Sequence, residues 1–302
     1  MIGPNVGPLQ YYSHLPTIIV SCILGIYILA QNRHNLANQS LFAAIVTFVL
    51  WVFFDSIIWA TNRSDLIMFM WSLQILIEPI VYIASLVLLY TLIDKRAPSF
   101  RNIAIWLSLF LPLALIVPTQ YSLSGFDLGM CLANETYFSY YSYLIEAIYV
   151  LWILVFAYDR YRHAQTSEER KHIDILVSSV ILLLIAFAWG NVVGSLTEDW
   201  ELAQYGLFGM PVFTAMLVYS IVRFGTFNTK IIGAVALVLA LWALILALQF
   251  VQAVEVYRGV AGATLLVAIV FGVMLIRSVA REVHQRQQIE LQEKSLEVAN
   301  QQ

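Results

Sequence analysis

Long apolar runs separated by short polar connections dominate this chain. They recur at 15–30, 41–61, 66–93, 103–117, 139–158, 173–195, 207–222, 231–251 and 260–276. Most approach the roughly 20 residues that a helix needs to cross about 30 Å of hydrocarbon, and the runs at 103–117 and 207–222 are the shortest. None alternates polar with apolar residues as a membrane β-strand does, and in lipid a helix is the other way to satisfy every backbone group. The expected fold class is therefore all-α, a polytopic transmembrane helical bundle of about nine spans. The longest polar connection, 118–137, is expected to be a loop rather than a separate domain.

Composition agrees with lipid as the solvent: of 302 residues, 61% are hydrophobic and only 12% charged, outside the range of soluble domains. The net charge of -3 says little, but its distribution says more. With the N-terminus outside, 14 of the 16 Lys and Arg residues fall in cytoplasmic connections and in the tail, leaving Arg63 and Arg258 outside. That positive-inside bias favours an odd number of spans and a cytoplasmic C-terminus. Tyr137, Tyr140, Tyr141, Trp200 and Tyr205 lie in the outer connections, where aromatic rings anchor helices at the interface. The first residues lack the basic start and cleavage site of a signal peptide, so the first apolar run is expected to stay in the mature protein. Cys22 and Cys131 are read as structural. The Asn-x-Ser/Thr triplets at Asn38, Asn62 and Asn134 carry little weight, and the topology puts Asn38 in the cytoplasm. The expected partner is the bilayer, and nothing points to nucleic acid.

After Ile276 the chain changes to RSVAREVHQRQQIELQEKSLEVANQQ, rich in helix formers and free of Gly and Pro. Seven-residue spacing of Ile289 with Leu296 and of Leu291 with Val298 predicts a cytoplasmic coiled-coil-like signalling helix joining a homodimer. A solitary amphipathic helix on the membrane surface is the alternative. His284, in EVHQR, lacks the following acidic residue and Pro of a phosphoacceptor box and is read as a solvated surface His.

Two segments carry a family resemblance. NQSLFAAIVTFVLWVFFDSIIWATNRSDLIMFMWSLQILIEPIVYIASLVLLYTL sets a Trp-bearing second helix before a third interrupted by Pro79, and GLFGMPVFTAMLVYSIVRFGTFNTK ends a Pro-containing seventh helix in Arg-Phe. Over roughly 15–228 the chain resembles the seven-helix sensor region at the N-terminus of bacterial histidine kinases and of some diguanylate cyclases. The tail IELQEKSLEVANQQ resembles the signalling helix that precedes their output domains. The resemblance implies a sensor region at 1–228, two additional spans at 229–277 and a signalling helix at 278–302, with the output domain beyond this chain. It implies signal reception, a bacterial cytoplasmic membrane and no cofactor.

Ionisable groups inside spans are costly and mark functional positions. Asp55 and Glu146 lie about two turns below the outer ends of their helices, Glu78 lies somewhat deeper, and Asn191 reaches a similar depth in the sixth span. Helical spacing pairs Asp55 with Trp59, Glu78 with Tyr82 and Glu146 with Tyr149. Without Lys or Arg in this zone, the acids are expected to be neutral, or to be compensated by a cation or a small cationic ligand. Packing through polar contacts between helices is the competing reading. His14, the one nearby group able to supply positive charge, is read first as an interfacial residue. Pro79, Pro112 and Pro211 are expected to kink their helices.

A receptor is the leading expectation, and a transporter or channel is the alternative that intramembrane acids also support. All four lysines lie outside the hydrophobic centres, which disfavours a retinal Schiff base. Neither His-Glu-x-x-His nor Gly-x-Ser-x-Gly occurs, so no catalytic residue and no metal ligand is expected.

Overall fold

The structure is a computed structural model that describes residues 33–129 and 132–197, together with 200–203, 205–206 and individual positions within 14–29 and 262–277. The spans expected at 207–222 and 231–251, most of 260–276, the residue Cys131 and the tail 278–302 lie outside the described residues.

Six helices and one hairpin follow in chain order: α1 (Leu36–Ala60), α2 (Ser64–Ile93), α3 (Phe100–Ile116), β1 (Leu123–Asp127), β2 (Leu132–Glu135), α4 (Ser139–His163), α5 (Ser167–Thr197) and the single turn α6 (Trp200–Ala203). Four of them, α1, α2, α4 and residues 167–194 of α5, are long and apolar enough to cross a membrane. α3, at 17 residues, is shorter, spanning about 26 Å. The described positions of 14–29 are helical as well, and Asn38 of α1 donates to the Ile28 carbonyl at 2.8 Å. Asn38 is 1% exposed, so burial itself excludes it from glycosylation.

Local chemistry sets the helix ends. The Asn35 side chain accepts from the Ala37 and Asn38 amides to start α1, and Ser99 does the same for Asn102 in α3. Thr166 and Glu169 form a reciprocal capping box at the start of α5: the hydroxyl accepts from the Glu169 amide at 3.1 Å, and the carboxylate accepts from the Gln165 and Thr166 amides. α2 stops where Lys95 turns left-handed, with φ 55°, just past the Asp94 cap. α2 and α3 run without interruption through Pro79 and Pro112.

α2 is the central helix. It packs against α1 along much of its length and also against α3, α4, α5 and both strands. Short connections alternate the helix direction, giving the bundle two unlike ends. One carries the starts of α1, α3 and α5 and the ends of α2 and α4, with eight of the nine Lys and Arg residues of 33–197. The other carries Arg63 and the hairpin. Large apolar side chains such as Phe53, Phe69, Leu111, Leu151 and Ile185 point outward along the helices, a surface suited to lipid rather than water.

The basic end is fastened by polar contacts. Arg160 of α4 donates to both carboxylate oxygens of Asp94, at 2.7 and 2.9 Å. The Arg160 guanidinium lies 5.2 Å over the Phe156 ring, which stacks on Tyr90 of α2 with centroids 4.0 Å apart. The Tyr90 hydroxyl accepts from Asn102 of α3 and Trp152 of α4, and Ser40 meets Thr91 at 2.6 Å between α1 and α2.

The segment 118–137 departs from the expected loop. β1 and β2 pair antiparallel, Leu123 opposite Glu135 and Asp127 opposite Leu132, with a bulge at Ser124. The Asp127 carboxylate accepts from the Gly129 amide at 2.7 Å to set the turn. The strands are too short for alternation to stand out in sequence, and Leu123 and Ala133 turn inward onto the bundle.

Candidate functional site

The buried face of α2 carries Trp71, Gln74, Glu78 and Tyr82, spaced three, four and four residues apart and so stacked along one stripe about 16 Å long. Each rung meets a polar group from a different part of the fold. Nearest the hairpin end, the Trp71 indole N–H donates to Glu135 Oε1 of β2 at 3.0 Å. One turn deeper, Gln74 Nε2 donates to Asp55 Oδ1 of α1 at 3.1 Å, and the other Asp55 oxygen lies 2.6 Å from His14 Nε2. Deeper again, the carboxyls of Glu78 and Glu146 meet across the α2–α4 interface, with the Tyr82 hydroxyl beside Glu146. Asp55 and Glu135 are near enough to act on Glu78 through charge.

Glu78 and Glu146 are 6% and 4% exposed, and Oε1 of each has no hydrogen-bond partner. An unpartnered carboxyl oxygen in such a site is costly. Below this rung the face continues with Ser85, whose hydroxyl is spent on the Val81 carbonyl of its own helix. Phe187 of α5 packs on Tyr82, Trp51 and Phe48, with ring centroids 6.0, 4.6 and 6.2 Å away. Leu86, Leu89, Ile153 and Val180 belong to the same closed apolar core further toward the basic end.

Of the residues singled out from sequence, the structure gathers Asp55, Glu78, Tyr82 and Glu146 around one stripe. Trp59 is half-buried a turn beyond Asp55, whose oxygens go to His14 and Gln74 instead. Tyr149 is fully buried next to Glu146, but its hydroxyl donates to the Trp106 carbonyl of α3 at 2.8 Å. Asn191 lies in α5, and its side chain is outside the described residues. His14 is 1% exposed and bonded to Asp55, rather than standing at an interface. Sequence reasoning passed over Trp71, Gln74 and Glu135. The first two share the face of Glu78 at seven and four residues' distance, so helical spacing could have found them. Glu135 reaches the site only because the hairpin folds back over α2.

Among the described residues no group of three His, Cys, Asp or Glu side chains is arranged to hold a metal ion. Fold and site together define a membrane-type helical bundle with an acidic interior. Comparison with protein-family models, curated proteins and solved structures finds no match.

Proposed function

We propose that this chain is the membrane-embedded sensor region of a signal-transduction receptor, of the histidine-kinase type that its sequence resembles. The observation that carries the reading is the one-ended acidic stripe: it starts at the hairpin, descends through Glu135, Asp55, Glu78 and Glu146, and stops at a closed aromatic and aliphatic layer. A sensor needs a site reached from one side and a rigid element leading away from it, and α2 supplies both. The charge asymmetry supports an outward-facing hairpin, because Arg63, the one basic residue at that end within 33–197, is paired with Asp65 at 2.5 Å while the opposite end holds eight. The signal then passes to the last span and through the tail helix of a dimer to a cytoplasmic output domain.

The test joins the full chain, through its tail and in heptad register, to the dimerisation and catalytic domains of a well-behaved sensor kinase, with autophosphorylation read in proteoliposomes. Output that follows a change on the hairpin side, and that is lost in Glu78→Gln, supports the receptor. Ion or solute flux through the same liposomes, with constant kinase output, would instead establish the transporter reading.

A further inference from the structure

We infer that Glu78 and Glu146 form a buried proton-binding pair that is loaded from the hairpin end through Glu135. Three observations converge on it. Both carboxyls are buried on helices that pack against each other and are near enough to interact, so a proton between them joins α2 to α4 and its loss separates them. One oxygen of each is buried without a hydrogen-bond partner, and of the atoms so placed among the described residues these two belong to groups that can take up a proton. The half-buried Glu135 stands at the hairpin end of the same stripe, bonded to the Trp71 indole and near enough to act on Glu78 through charge. A proton is the ligand that fits, because two buried carboxyls close enough to interact are relieved of their repulsion by one proton between them.

The surroundings are acidic on every side that bears charge. α1 contributes Asp55 with its partner His14, β2 contributes Glu135, and α4 contributes Glu146 and the Tyr149 hydroxyl, which is committed to Trp106. The ionisable groups of α3 and α5, namely Arg101, Glu168, Glu169, Arg170, Lys171, His172 and Asp174, all lie near the starts of those helices at the basic end. No Lys or Arg among the described residues is placed to neutralise the pair, so the proton itself does so. The step is a simple transfer: one proton passes from water to the Glu135 carboxylate, from there by way of the Asp55 carboxylate to the Glu78–Glu146 pair, and returns by the same route when the outside becomes alkaline. Chains of Asp and Glu inside membranes serve as relays of this kind.

The inference rests on the receptor reading only for its consequence, and the experiment separates the two. The full chain in lipid nanodiscs is followed by infrared difference spectroscopy as the buffer pH is stepped. Wild type is expected to show a protonated-carboxyl band that shifts on deuteration and titrates. The band moves in Glu78→Gln and in Glu146→Gln and is lost in the double variant. In Glu135→Gln it keeps its size but responds more slowly to a pH jump. A folded wild type without the band overturns the inference, whatever the variants do. So does a band that disappears at constant pH when sodium is added, since an alkali cation is then the ligand. A Glu135→Gln variant that exchanges as fast as wild type overturns the loading route. A titrating band alongside pH-independent output from the kinase fusion upholds the proton site and removes the receptor reading.

Discussion

Replacing Arg160 by Met tests how firmly the basic end of the bundle is held. The Met side chain keeps the stem that covers Phe156 but removes both hydrogen bonds to Asp94, whose side chain is only 8% exposed. What remains near that carboxylate is Arg96, at 3.6 Å and largely in solvent. Breaking a fully buried pair by removing one partner costs about 3–5 kcal/mol. The Arg160 side chain is 32% exposed, so solvent screens part of that interaction, and the expected loss is about 2 kcal/mol. That loss lowers the folded-to-unfolded ratio roughly thirtyfold. Asp94→Leu removes the other partner, and the double variant, left without an unpaired buried charge, is expected to recover most of the loss. The assay is reversible unfolding in bicelles for wild type, both single variants and the double, closing a thermodynamic cycle. Losses in the two single variants that simply add would refute the reasoning, because Arg160 and Asp94 would then not act as a pair.

Other contacts make smaller, separable predictions. Lys95→Gly relieves a side chain held at φ 55° and should stabilise the protein by about 0.5 kcal/mol, read as a raised midpoint in the same unfolding assay. Thr166→Ala removes one half of the α5 capping box and should cost about 1 kcal/mol, with faster amide exchange confined to residues 167–170. Tyr149→Phe deletes the hydroxyl that ties α4 to the Trp106 carbonyl and should cost about 1 kcal/mol, measurable as a lowered unfolding midpoint.

The helices were legible because lipid makes composition nearly sufficient: a run of apolar residues long enough to cross must be helical, whatever its neighbours do. The ends of α1, α2 and α4 accordingly fall close to those the hydropathy pattern suggests. The site was legible only by halves. Counting turns inward from each helix end assumes that the ends are level, yet Glu78, 14 residues into α2, meets Glu146, only seven into α4. α2 therefore extends about two turns past the start of α4, and the hairpin occupies the step that this offset leaves. Nothing in the local pattern encodes that offset. Pairing each acid with the aromatic ring one turn away left out partners from other elements for a related reason. Asp55 has nearer polar partners on other elements, in His14 and Gln74, and Tyr149 is engaged with α3.

The two halves of the bundle differ in the kind of polar atom they leave without a partner: Asn38 Oδ1 and the Trp106 indole N–H toward the basic end, carboxyl oxygens toward the hairpin. At the basic end the Asp94 carboxylate, the Tyr90 hydroxyl and the Ser40–Thr91 pair all have partners that join α1, α2, α3 and α4. At the hairpin end the Glu78–Glu146 pair keeps two oxygens without partners. Of these unpartnered groups only the carboxyl pair can change its charge, so a bound proton acts there, while the Asp94–Arg160 contact at the other end keeps its partners. α2 belongs to both halves, and Pro79, next to Glu78, leaves the Ile75 carbonyl without its helical donor. Displacement at Glu78 therefore meets the point where α2 bends most easily, while Tyr90, Thr91 and Asp94 tie its far end to the neighbouring helices.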